Sequence, residues 1–166
     1  MSIRHIKHPF EAVIDGESRV LILGSVPSVK SVENNFYYMH PKNRFWKVLS
    51  CLYDVDLYSM SVEERIGFLH KHHIALYDSV EECDIEASKD SAISNVTPAD
   101  IPSLLAKSKI SRIYCNGKAS YRYLLSAYPE YEKMTVLLPS TSPANAVYSL
   151  EKLVCEWKIV ANDKND

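Results

Sequence analysis

The chain has 166 residues, 46% of them hydrophobic, and a formal net charge of -2, which is the size of one domain with a substantial core. No apolar run approaches the ~20 residues of a membrane helix, and the N-terminal MSIRHIKHPFEAVIDG lacks the apolar stretch of a signal peptide, so a cytoplasmic protein is expected. A slightly acidic chain does not grip nucleic acid by bulk charge, although the charge is uneven: residues 53–100 carry three basic and eleven acidic side chains, and residues 101–129 carry five basic and none acidic.

Arg19–Leu23 (RVLIL) is a short, apolar, partly β-branched run ending at Gly24, the pattern of a buried parallel strand. A Ser/Pro loop, Gly24–Ser28, follows. After His40-Pro41, the residues Phe45, Val48, Leu49 and Leu52 fall at helical spacing. Ser61-Val62-Glu63-Glu64 reads as a capping box opening a second helix that runs to about His72. Ile74–Tyr77 predicts a second strand, and the polar Asp78–Asn95 a long loop. Thr97 reads as the N-cap of a helix to about Lys107. Ile110–Cys115 predicts a third strand closed by Asn116-Gly117, and Lys118–Ala127 a helix stopped before Pro129. Met134–Leu138 is the fourth strand. Pro139–Pro143 is a second Ser/Pro loop, and Ala144–Ile159 the last helix. Residues 1–160 therefore read as one domain and 161–166 as a frayed tail. Strands alternating with helices imply a three-layer α/β/α fold around a four-stranded parallel sheet.

Cys51, Cys83, Cys115 and Cys155 are far apart and form no CxxC. They read as ordinary thiols of a reducing compartment, an iron–sulfur site built from distant cysteines being the alternative. No metal site or cofactor is expected. GxGxxG and GxxxxGK[ST] are both absent.

In open parallel sheets, ligands bind beyond the carboxyl ends of the strands. Here those ends carry Gly24–Ser28, Asp78-Ser79, Asn116-Gly117 and Pro139–Asn145. Rigid Ser/Pro loops suit a phosphodiester backbone, because hydroxyls and free N–H groups donate to phosphate without formal charge. Between the first loop and the first long helix lies FYYMHPKNRFW, residues 36–46. Aromatics beside His and Asn can stack a base and read its edge. On the residues alone, Tyr37 and Tyr38 divide between packing and stacking, His40 between contact and loop brace, and Asn43 between chemistry and helix cap.

The run LILGSVPSVKSVENNFYYMHPKNRFW resembles the first motif of the hypoxanthine-DNA (deoxyinosine-DNA) glycosylases, a branch of the uracil-DNA glycosylase superfamily. LPSTSPANA resembles that family's second motif, and ALYDSVEECDIEASKDSAISNVTPADI and IYCNGKASY its middle segments. The similarity runs from about Pro9 to Ile159. It implies the uracil-DNA glycosylase-like fold and a monofunctional glycosylase that flips a deaminated base out of duplex DNA and hydrolyses its N-glycosidic bond. Hypoxanthine is the expected base. The alternatives are uracil or a broad range of deaminated bases, a damaged-DNA-binding module without catalysis, and a nucleoside hydrolase or plain ligand-binding protein. Related mismatch-specific uracil glycosylases carry a water-positioning Asn near the position of Val26, which is apolar here.

By resemblance, Asn43 and Asn116 are catalytic, and Gly24, Ser25, Tyr38 and His40 surround the base. Ser28, Ser140, Thr141, Ser142 and Asn145 contact the DNA. A monomer acting on double-stranded DNA, away from membranes, is implied. The chain departs from the family pattern at Met39 (for glycine or alanine), Tyr77 (tryptophan), Ser79 (an aliphatic residue), Ala87 (glycine) and Ala99 (asparagine).

Overall fold

The computed structural model describes residues 3–86 and 93–162. Its frame is a parallel sheet of four strands in the order β3-β2-β6-β7: β2 (Val20–Gly24), β3 (Ile74–Asp78), β6 (Arg112–Asn116) and β7 (Thr135–Leu138). β2 is buried along its whole length, as a central strand covered on both faces must be. Its side chains alternate. Val20 and Ile22 join one core with α2 (Phe45–Tyr53), α3 (Val62–Lys71) and α6 (Leu150–Asn162). Leu21 and Leu23 join the other with α4 (Ile101–Ala106) and α5 (Lys118–Ala127). These are the three expected layers. The chain leaves β2 towards β3 on one side and later returns to β6 on the other, so the loops after β2 and β6 part and open a crevice.

The first core holds the large aromatics. Trp46 is 1% exposed, its indole N–H donates to the Tyr37 carbonyl at 3.0 Å, and its ring stacks on Phe36. The Arg65 guanidinium lies 4.9 Å from the Trp46 ring. The capping box at Ser61 and Glu64 is formed as expected. Among the described residues no helix is long and apolar enough to cross a membrane.

Four expectations are corrected. First, the segment read as a loop from Asp78 to Asn95 contains two strands, β4 (Val80–Glu86) and β5 (Ile93–Pro98). With β1 (Ile3–Lys7) they build a second, antiparallel sheet in the order β1-β4-β5. Register shifts between Val80 and Glu82 and between Glu82 and Asp84 break the period-two alternation that marks a strand. Second, the first Ser/Pro loop opens a short helix, α1 (Val29–Asn34), capped by the Ser28 hydroxyl. Third, Thr97 lies in β5, and Asp100 caps α4 by accepting from the Ser103 N–H at 3.2 Å. Fourth, α6 starts at Leu150 rather than at Ala144 and runs through Asn162. Ala87, and residues 163–166 of the expected tail, lie outside the described residues.

Trp46→Ala should cost about 3–5 kcal/mol, the usual range for deleting a buried tryptophan. Trp46→Phe, which loses mainly the hydrogen bond, should cost less. Urea unfolding of the two variants checks this order.

Candidate active site

The loops after β2, β6 and β7 meet in a cavity of about 400 Å³, within the roughly 300–1,000 Å³ of small-molecule sites. Gly24, Ser25 and Ser28 line one side, Tyr38 and Asn43 another, and Asn116 with Ser140, Thr141 and Ser142 a third. Arg4 of β1 and Ile85 of β4 complete the wall, so the small antiparallel sheet closes a side that the parallel sheet leaves open.

The centre of the arrangement is the Thr141 side chain, which is fully buried. Its hydroxyl donates to Asn43 Oδ1 at 2.8 Å and accepts from Asn116 Nδ2 at 3.0 Å. Its backbone N–H donates to Asn116 Oδ1 at 2.9 Å. One residue thus ties the two asparagines together across 98 and 25 residues of chain. The orientation of Asn43 is fixed as well. The Phe45 N–H, a donor only, meets Oδ1 at 2.9 Å, so the oxygen faces the protein. Asn43 thus braces the entry to α2, whose N-cap residue is Arg44, and its amide NH2 is left for the cavity.

Tyr38 has a left-handed backbone, φ 57°, a conformation that costs an aromatic residue on the order of 1 kcal/mol. It sets one face of the ring 4.0 Å (centroid to centroid) from Phe45. The hydroxyl is buried without a hydrogen-bond partner. Burial pushes its pKa far above the ordinary phenol range, and the Asp78 carboxylate raises it further. The nearby Asn116 side chain opposes the rise without reaching hydrogen-bond geometry. Tyr38 is therefore a protonated donor at neutral pH.

Gly24 lets two side chains close in on the backbone. A Cβ there would lie 2.5 Å from Asp78 Oδ1 and 3.0 Å from the Tyr38 hydroxyl. Gly117, at φ 99°, lets the Asn116 turn approach Ser140, whose Cβ would sit 3.1 Å from an added Cβ.

Of the expected site residues, nine line the cavity: Gly24, Ser25, Ser28, Tyr38, Asn43, Asn116, Ser140, Thr141 and Ser142. Three placements need correction. Thr141 does not offer its side chain to a DNA backbone, because its hydroxyl and N–H are both engaged with the asparagines. His40 does not border the cavity; its Nδ1 accepts from the Lys42 N–H at 3.1 Å and its carbonyl from the Asn43 N–H at 2.9 Å, so it braces the loop. Asn145 is also a brace, its Nδ2 donating to the Ser140 carbonyl at 3.0 Å. Met39 and Ser79, two of the departures from the family pattern, border no part of the cavity. Met39 Sδ meets Arg65, and the Ser79 hydroxyl donates to the Ser120 carbonyl.

Sequence reading missed Arg44. Its backbone N–H donates to the Thr141 carbonyl at 3.0 Å. Its guanidinium donates to the carbonyls of Ser142 and Asn145, both at 3.0 Å, and of Tyr148. A single cation therefore fixes the whole loop between β7 and α6. The only signal was its position next to Asn43. Also missed were Arg4 and His8, which no local pattern marks, and Asp78 was reached only as part of a strand-end loop, without a role.

Comparison with known proteins identifies the family. A family model described as the uracil DNA glycosylase superfamily matches residues 11–164. A Methanosarcina acetivorans protein named hypoxanthine DNA glycosylase is 34% identical over 158 residues, 93% of this chain and 98% of that one. A namesake from Methanosarcina barkeri is 34% identical over 143 residues, 84% and 88% of the two chains. The solution NMR structure of a Methanosarcina acetivorans protein, provisionally named a uracil DNA glycosylase, superposes with a TM-score of 0.78 at 29% identity, covering 96% of this chain and 99% of that one.

Thr141→Val, close in shape but without the hydroxyl, leaves Asn116 Nδ2 and Asn43 Oδ1 each short of a partner and should cost about 1–3 kcal/mol. Thr141→Ser keeps the bridge and should cost clearly less. Unfolding midpoints of the pair in urea test whether the bridge is made.

Proposed function

The chain belongs to the uracil DNA glycosylase superfamily, and from that membership we propose that it removes hypoxanthine from DNA by hydrolysing the N-glycosidic bond of deoxyinosine. It is a DNA glycosylase acting on deaminated bases. The observation that carries the choice of residues is the bridge of Asn43 and Asn116 through Thr141 at the rim of a cavity of purine-compatible volume.

The enzyme extrudes the nucleotide from the duplex, since its atoms cannot be reached inside the stack. Inosine pairs weakly, which lowers the cost of extrusion. The free face of Tyr38 supports the base, its other face resting on Phe45. Asn43 holds the attacking water through its NH2 group: donation to one lone pair of the water leaves the other for C1′. Cleavage builds oxocarbenium character on the sugar and negative charge on the base. The second N–H of Asn116, which Thr141 does not use, is placed to stabilise that charge. Water bonds C1′ as the N-glycosidic bond breaks, the departing base takes up the proton that water releases, and no protein amine joins the sugar, so the product is the free base and an abasic site in an unbroken strand. Gly24 and Ser25 shape the base pocket. Ser140 and Ser142 meet the phosphates, the Ser28 hydroxyl being engaged in the cap of α1, with Arg4 supplying positive charge at the rim.

The protein is proposed to act as a monomer. A cytoplasmic setting fits four free cysteines, two of them exposed.

Duplexes containing deoxyinosine, deoxyuridine or deoxyxanthosine, treated with the protein and then with alkali, test the reading. Strand scission should be fastest at deoxyinosine. Asn43→Ala should slow single-turnover base release about 100-fold or more while retaining affinity for the duplex. An undiminished rate would remove Asn43 from the chemistry. Retention of every substrate duplex without release of any base would favour a binding module instead.

A further inference from the structure

A buried pair that this mechanism does not use lies at the carboxyl end of β3. The His8 side chain is fully enclosed and Asp78 is 3% exposed. His8 Nε2 and Asp78 Oδ2 are 2.7 Å apart, and His8 Nδ1 is 2.8 Å from the Phe10 carbonyl. Rings of Phe10 and Tyr77 pack against the imidazole at 4.8 and 4.4 Å. Asp78 lines the cavity. Its Oδ1 has no hydrogen-bond partner among the described residues, and it crowds the same point beside Gly24 as the unpartnered Tyr38 hydroxyl.

We infer that Asp78, oriented by His8, is the group that tells hypoxanthine from its parent base adenine, by accepting the ring N1–H that deamination creates. This rests on the glycosylase reading above. Hypoxanthine presents an N1–H donor beside an O6 acceptor. Adenine presents an N1 lone pair beside an amino donor, the reverse. A carboxylate oxygen accepts but cannot donate, so it bonds the first edge and repels the second.

His8 answers the objection that a carboxylate should oppose negative charge building on the departing base. The Phe10 carbonyl can only accept, so Nδ1 carries a proton. One more proton lies between Nε2 and Oδ2. Whether it sits on nitrogen or on oxygen, the pair is net neutral and Oδ1 remains an acceptor. Recognition is then kept without a bare charge beside the leaving group. His8 is a positioning residue: it touches Asp78 and not the base. A site built to bond a substrate N–H rejects the analogue lacking it strongly, because its own buried group is left unpaired.

The test is single-turnover base release from duplexes carrying deoxyinosine or the deoxynucleoside of unsubstituted purine. The latter lacks N1–H and O6 but is smaller, so crowding cannot explain its rejection. Asp78→Leu, which removes the acceptor, should slow deoxyinosine roughly 10- to 100-fold. It should slow release of unsubstituted purine much less, because that base has no N1–H to lose. His8→Phe should lower the inosine-to-purine rate ratio in the same direction. The ratio cancels the folded fraction, so a destabilised variant still reports. An unchanged ratio in both variants, even with both rates reduced, would overturn the inference while leaving the glycosylase reading intact. Wild-type protein that releases no base from any duplex would overturn both.

Discussion

One buried hydroxyl organises the site. Asn43 precedes α2, Asn116 ends β6, and Thr141 follows β7, so the three share no local structure. The Thr141 Oγ1 contacts to both amides, with the Thr141 N–H to Asn116, turn three loop ends into one object. A buried polar network whose members are satisfied specifies a single geometry, because any alternative strands a group away from water. That is why two carboxamides on separate loops are held in fixed orientations, and why the amide of Asn43 presents nitrogen rather than oxygen to the cavity.

The sheet explains where that object sits. The change of direction at β2 opens the crevice, and the two glycines bordering it lie where side chains would collide with the opposite wall. The second sheet is an extension of the first. β3 ends at Asp78, and after a single residue the chain continues into β4. The Ser79 and Val80 N–H groups donate to the Gly24 and Ser25 carbonyls at 2.7 and 3.2 Å. The strand therefore carries its attachment to the β2 loop out of the parallel sheet and into the antiparallel one, and Arg4 and Ile85 reach the cavity as a result.

The parallel sheet was legible because each of its strands is a continuous apolar run between turn residues, as in Val20–Gly24 and Ile74–Asp78. The antiparallel sheet was hidden: β4 reads VEECDIE, bulged and half polar, and β1 leaves four of its five residues exposed. The catalytic asparagines proposed here were reachable only through resemblance to known motifs. By residue type alone Asn43 reads as a cap, but the N-cap of α2 is Arg44 and Asn43 stands one residue ahead of it. The error over Thr141 has a clear source. A Ser-Thr-Ser turn advertises hydroxyls, but sequence does not say which of them turns inward, and here the middle one does. His8 was invisible for a different reason: it meets Asp78 across 70 residues, and nothing local to either predicts the meeting.

Arg44 gives the loop between β7 and α6 a polarity. It gathers the carbonyl oxygens of Ser142, Asn145 and Tyr148 onto one guanidinium, and the described residues contain no cis peptide bond. In a planar trans peptide the N–H points opposite to the C=O. The peptide groups following Asn145 and Tyr148 therefore aim the N–H of Ala146 and of Ser149 away from the cation. The segment becomes a strip of aligned dipoles with its electron-rich ends anchored inside and its electron-poor ends outside. Anchored from within in this way, the loop keeps one shape through a single side chain rather than through regular secondary structure.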